Sequence, residues 1–163
     1  MGDSVHYLPV VAISAGILLY RPVGETVEVL LVHPGGPFWS RKDLGAWSIP
    51  KGGVDEGEEL WECALREFEE ELGAAPGLGP DELTDLGSVR QKSGKKVHCW
   101  AAEGDFDPAT LDSATFTMEW PPRSGREREF PEVDRAEWFD AEEAKRRIIA
   151  AQGELLERLL STR

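Results

Sequence analysis

The segment Glu58–Leu72, EELWECALREFEEEL, constrains this chain more than any other. Trp61, Ala64, Leu65, Phe68 and Leu72 recur at i, i+3, i+4, i+7 and i+11. At about 100° per residue they share one apolar stripe, which predicts an amphipathic helix over 58–72. Gly73 supplies its stop, because glycine accepts the left-handed conformation that closes a helix. A single amphipathic helix is not stable alone in water. Its stripe therefore requires a partner surface, and the flanking sequence offers strands.

Val10–Arg21 and Val27–His33 are rich in β-branched residues and read as strands, with RPVGET between them as a hairpin turn. WSIP reads as a short strand between the loops PGGPFWSRKDLGAW and KGGVDEGE. Thr84–Lys92 and Lys96–Gly104 form a predicted hairpin around KSGK. Thr115–Trp120 and Val133–Phe139 complete the strands, with PPRSGREREFPE expected as a loop. Asp140 caps a helix over AEEAKRRIIAAQ, and Glu154–Leu160 gives a last short helix. Strands on both sides of one strong helix imply a mixed α/β domain of the α+β type. The hairpins make its sheet mainly antiparallel and disfavour a doubly wound parallel fold. With 163 residues, a single domain over 1–163 is expected.

Charge narrows the partners. A formal net charge of −13 argues against a nucleic-acid backbone or an anionic membrane as the main partner. The apolar run Pro9–Tyr20 is too short for a membrane span, which needs roughly 20 residues, and Asp3 and His6 precede it in place of a basic leader. Cys63 and Cys99 lack metal-ligand spacing and read as free thiols of a reducing compartment. A cytoplasmic protein without DNA or membrane partners, monomeric or homodimeric, is the expectation.

The charge is concentrated. Gly52–Ala74 carries nine acidic side chains and one base, Arg66. On a wheel with Trp61 at zero, Glu70, Glu67 and Glu71 fall at roughly 180°, 240° and 280°, a face beside the apolar stripe. Glu67 stands i, i+3 from Glu70 and i, i+4 from Glu71, so like charges are neighbours. A hard divalent cation would relieve that repulsion; a solvated face would also tolerate it. The preceding loop, PKGGVDEGE, has three glycines within six residues and feeds the helix N-terminus, where backbone N–H groups attract anions. Glu59, Glu62 and Glu69 read as solvated.

Gly52, Glu58, Arg66, Glu67, Glu70, Glu71 and Gly73 resemble the fixed positions of the Nudix box. That pattern is G, five residues, E, seven residues, then REUxEExGU, where U is bulky and aliphatic. Phe68 and Ala74 depart mildly from the two U positions. The resemblance implies a Nudix fold, with a mixed sheet sandwiched between helices. It implies a hydrolase that cleaves a diphosphate linkage in a nucleoside diphosphate joined to another group, with Mg²⁺ or Mn²⁺. It implies Glu67, Glu70 and Glu71 as metal ligands, completed by the backbone carbonyl of Lys51. Gly52, Glu58, Arg66 and Gly73 are then structural. The general base is expected from Glu132, six residues before Trp138, with Glu70 and Glu71 as rivals and Glu119 as a weaker candidate. A non-catalytic nucleotide sensor of the same fold is the alternative; intact box glutamates argue against it.

Substrate contacts are less legible. Lys51 could bind a phosphate as a point charge, as could Arg90 and the loop arginines around Arg123. Trp39, in a polar loop, and Trp120, before Pro121, are the candidates for stacking on a base. The expected partner is a small nucleotide or polyphosphate, either a nucleoside triphosphate or a dinucleoside polyphosphate. His33 and His98 read as structural.

Overall fold

A computed structural model describes residues 12–163. The strand expected from Val10 therefore begins outside the described residues. The strands are β1 (Ile13–Val23), β2 (Thr26–Pro34), β3 (Lys51–Gly53), β4 (Thr84–Arg90), β5 (Lys96–Glu103), β6 (Thr115–Glu119), β7 (Glu127–Pro131) and β8 (Val133–Asp140). The helices are α1 (Leu60–Leu72), α2 (Ala141–Arg147) and α3 (Gly153–Ser161). The main sheet runs β4-β5-β1-β2-β8, and β3 also pairs with β1. Among the described residues, the β1–β5 pairing is the one parallel pairing between its strands.

The continuous apolar run of β1 has a plain cause: both of its faces are buried. Ile17 and Leu19 point to a core shared with Ala64, Phe68 and Leu72 of α1. Leu18 points to the opposite core, with Trp47, Ile49 and Leu155, Leu156 and Leu159 of α3. The strand's period of two thus divides one hydrophobic run between two layers, with helices outside each. Each large side chain so buried contributes about 1.5–3 kcal/mol relative to an exposed one. Among the described residues no helix is long and apolar enough to cross a membrane, and Cys63 and Cys99 are buried free thiols.

Four sequence expectations are corrected. PPRSGREREFPE is not all loop: Glu127–Pro131 is β7, paired with β6 from Thr115↔Pro131 to Glu119↔Glu127. Its side chains are mostly exposed, so no apolar alternation marked it. KGGVDEGE begins as strand, because Lys51, Gly52 and Gly53 pair with Gly16, Ala15 and Ser14. The helix after Asp140 ends at Arg147, where Ile148 turns extended, and a short 3₁₀ turn at Ala150–Gln152 leads into α3. Ile148 lies beside Trp47 in a parallel bridge, so sheet-like pairing and core burial override helix continuation.

The fourth correction bears on function. The buried face of α1 carries Cys63, Ala64, Glu67, Phe68, Glu71 and Leu72, while Trp61 and Leu65 are only half-buried. Glu67 and Glu71 therefore belong to the buried face, and Glu70 to the solvent side. Glu62 is also more than a solvated acid: its Oε1 accepts from the N–H of Glu59 at 3.2 Å, satisfying a donor at the helix start.

Candidate active site

Strand β3 and helix α1 build the site together. The chain enters α1 through a turn in which the Glu58 N–H donates to the Asp55 carbonyl and the Asp55 N–H donates to Glu58 Oε1, each at 3.0 Å. Glu58 then receives the fork of Arg66, from Nε at 2.8 Å and Nη2 at 2.9 Å. Nη2 also donates to the Gly53 carbonyl at 3.0 Å, and Nη1 to Glu67 at 2.9 Å and Glu70 at 3.1 Å. One guanidinium thus locks β3, the entry turn and the acidic helix face into a fixed relation, a task suited to its planar set of donors. Arg66 hydrogen bonding and a bond from the Asp55 N–H hold the Glu58 carboxyl down at about 2.

Glycine is required at two places here. A Cβ on Gly52 would fall inside the carboxylate of Glu67, so the strand and the helix approach through the missing side chain. Gly73 closes α1 at φ 86°, with its N–H donating to the Glu69 carbonyl at 2.7 Å.

The electrostatics of the buried acids differ from those of ordinary surface glutamates. Burial pushes the Glu71 carboxyl up to about 8, opposed by the nearby Lys51 charge and by the Lys51 N–H, which donates to Glu71 Oε1 at 3.3 Å. Burial also raises Glu67, and the neighbouring Glu70 charge adds to the effect. The Glu132 carboxylate raises both Glu67 and Glu71, which places it in the same field. Lys51 is lowered, first by burial and then by Lys95. Among the described residues no three His, Cys, Asp or Glu side chains converge on a common point, and the Arg66 guanidinium bridges Glu67 and Glu70. The oxygen-only donor set of Glu67, Glu70, Glu71 and the Lys51 carbonyl nevertheless has the chemistry that hard divalent cations select. Burial raises Glu67 and Glu71 in spite of the nearby Arg66 and Lys51 charges, a cost that a divalent cation beside them would offset.

Glu71 borders a cavity of about 260 Å³ whose walls also include Trp39, Lys51, Gln91 and Glu132. Four of these residues were singled out in the sequence. Glu132 is pinned through its backbone, donating to the Ala114 carbonyl at 2.8 Å and accepting from the Gly35 N–H at 2.9 Å. Three other candidates lie elsewhere. Arg90 bonds the carbonyl of Gly94 in the β4–β5 turn at 3.5 Å. Arg123 occupies the tip between β6 and β7, where its N–H donates to Glu119 at 2.8 Å, which also ties up the Glu119 carboxylate. Trp120 meets Phe38 edge-on at 5.5 Å and faces a neighbouring cleft with Arg41 and Lys42. The histidines are structural as read: buried His33 bonds Asp134 and the Lys42 carbonyl, and His98 bonds Asp85. Gln91 escaped the sequence reading. A lone glutamine in a turn carries no periodic or motif signal, and only the tertiary structure brings it to the cavity wall.

A mainly antiparallel sheet between helices, with an acidic helix that meets a glycine-bearing strand beside a cavity, is the architecture to be compared with known enzymes. The NUDIX domain family model matches residues 11–159. The RNA pyrophosphohydrolase of Erythrobacter litoralis is 28% identical over 128 residues, spanning 70% of this chain and 71% of that protein. The fold resembles an Ap4A hydrolase of C. elegans in a binary complex, with TM-score 0.63 and 24% identity over 91% of this chain and 96% of the other. It also resembles the NUDIX domain of Shewanella oneidensis NrtR complexed with ADP ribose, with TM-score 0.64 and 18% identity over 99% of both chains. The chain belongs to the NUDIX domain family and is a Nudix hydrolase.

Proposed function

We propose that this enzyme hydrolyses a diphosphate linkage in a nucleoside triphosphate or dinucleoside polyphosphate. The observation that carries the reading is the buried acid Glu71 in the wall of a cavity that Lys51 and Glu132 also line, with a second buried acid, Glu67, one helical turn away on α1. Buried carboxylates with raised pKa values cost stability, and they are tolerated where a function needs them.

Glu67, Glu70, Glu71 and the Lys51 carbonyl would hold Mg²⁺ or Mn²⁺, which when bound would neutralise the diphosphate and lower the pKa of water. Glu132 takes the proton from that water as it attacks phosphorus, and the phosphorus–oxygen bond to the leaving phosphate breaks. The Lys51 ammonium binds a phosphate oxygen, and Trp39 stacks on the base. Arg66 touches no substrate in this scheme; it orients Glu67 and Glu70 and fixes the entry turn through Glu58.

The test is turnover of a panel of nucleoside triphosphates and dinucleoside polyphosphates with Mg²⁺ or Mn²⁺, beside Glu70→Gln. Hydrolysis that collapses in the variant supports the assignment. Turnover indifferent to Glu70→Gln removes Glu70 from the machinery. Nucleotide binding without turnover on any substrate would instead identify a sensor.

A further inference from the structure

A buried polar relay ends in the cavity wall. It starts at a backbone N–H, which can only donate: Ile49 N–H donates to Gln152 Oε1 at 3.0 Å. That bond fixes which end of the Gln152 amide is which, because its oxygen must face the donor. Gln152 is fully buried, so the choice cannot relax into water. Its Nε2 then donates to Ser48 Oγ at 3.0 Å and to Gln91 Oε1 at 3.3 Å. Ser48 Oγ spends its own proton on the Ile49 carbonyl at 2.7 Å, which leaves it an acceptor for Gln152. The Gln91 backbone is held as well, donating to the Lys95 carbonyl at 2.8 Å and accepting from the Gly94 N–H at 2.9 Å.

The consequence falls on the far end of the chain of bonds. With Oε1 committed to Gln152, the Gln91 amide cannot rotate to offer its oxygen without setting two NH₂ groups against each other. Its Nε2 has no protein partner among the described residues, and Gln91 lines the same cavity as Trp39, Lys51, Glu71 and Glu132. A freely rotating glutamine can donate and accept together and so suits adenine. A glutamine held at its oxygen by a neighbouring NH₂ keeps that end turned to its partner and leaves its own NH₂ as the group free to bond.

We propose that Gln91 is a specificity-determining residue that selects bases presenting a keto oxygen, the 6-oxopurines, over 6-aminopurines. Gln152 is the positioning residue that sets this polarity. The inference rests on the cavity being the nucleotide site. The locked N–H meets the keto oxygen of a hypoxanthine or guanine base stacked in the cavity. In adenine the exocyclic amine would face that N–H, and neither donor would find an acceptor. The loss is asymmetric, because an unpaired buried donor costs more than an absent bond.

The experiment compares inosine and adenosine 5′-triphosphates, which differ at the purine 6-position. Turnover is measured with Mg²⁺, and binding of their α,β-methylene analogues by calorimetry. The wild-type enzyme should favour inosine by about tenfold or more, the equivalent of one hydrogen bond. Gln91→Glu keeps one oxygen on Gln152 and turns the other to the cavity as an acceptor. Its added charge weakens both nucleotides, so the ratio is the readout, and it should move at least tenfold toward adenosine. Gln91→Leu should bring the ratio near one. Gln152→Leu should do the same with Gln91 intact; if it fails to fold, the Gln91 pair still decides the matter. Turnover with no base preference, or a preference that Gln91→Glu leaves unmoved, overturns this inference and leaves the hydrolase reading standing. Discriminating binding without turnover supports it and overturns the hydrolase reading. Absence of both binding and turnover overturns both.

Discussion

Gly52→Ala should separate activity from stability in this enzyme. The new Cβ would fall within the volume of the Glu67 carboxylate, whereas a Cβ on the adjacent Gly53 meets nothing within 4 Å. Neither residue has a positive φ, so an alanine strains neither backbone. The whole cost of Gly52→Ala therefore falls on the end of one flexible side chain. Non-bonded carbons settle at about 3.5–4.0 Å, so the carboxylate must retreat by more than about 1 Å. A displacement of about that size at a reacting centre costs roughly 100-fold in rate. The structural cost is smaller. Glu67 forfeits its 2.9 Å bond from Arg66, but Arg66 keeps Glu58, Glu70 and the Gly53 carbonyl. A carboxylate shifted toward water also recovers some hydration. We expect a stability loss of no more than about 1 kcal/mol, or roughly 2–4 °C in Tm for a protein of this size. The assay is kcat/KM for Mg²⁺-dependent triphosphate hydrolysis beside a thermal melt, with Gly53→Ala as the matched control. An active Gly52→Ala enzyme, or a Gly53→Ala enzyme equally impaired, would refute the claim that Glu67 must occupy that position.

Three further outcomes follow from the same geometry. Glu71 is raised to about 8 when folded and is ordinary when unfolded, so between about pH 4.5 and 8 the folded state binds the extra proton. Metal-free stability should therefore fall as pH rises across that window; Glu71→Gln should flatten the fall in thermal melts, and an unchanged slope would remove Glu71 as its source. Glu58 shows the opposite sign: held down at about 2, it contributes stability that is present above about pH 4.5 and lost as pH falls toward 2. Glu58→Gln should erase that acid-side loss, and a variant whose acid melting curve matches the wild type would show that the Arg66 fork does not stabilise the fold. Glu132→Gln should lower kcat by about 100-fold or more with an unaltered Tm, as removal of a general base does; a kcat within twofold of wild type would return the role to Glu70 or Glu71.

Local physics made much of the molecule legible in the sequence. Helix α1, its stop at Gly73, the strands β1, β2, β4, β5 and β8 and the cap at Asp140 follow from periodicity and capping chemistry, which act within a few residues. The box spacing likewise placed Arg66 among acidic partners. The sequence could not say which acids would be buried. Both wheel positions of α1 that hold Glu67 and Glu71 look polar on composition, yet packing against β1 and β3 rotates them inward. That rotation depends on what covers the helix, and no window of the sequence contains it. For the same reason β7 was missed, since its pairing with β6 is made by backbone bonds rather than by buried side chains. Trp120, Arg90 and Arg123 were plausible by residue type, but they do not line the Glu71 cavity.

The sequence by itself therefore determined most of the elements, through local periodicity, and pointed to the class of chemistry, through spacings along one helix. Tertiary structure decided the electrostatics and the wall of the cavity. Glu132 joins Glu71 in one cavity wall, and Gln152 reaches Ile49, 103 positions away in the chain, and Gln91, 61 positions away. A hydrogen bond takes its direction from the partner that space supplies, so the polarity of Gln91 exists only once the chain has folded around it.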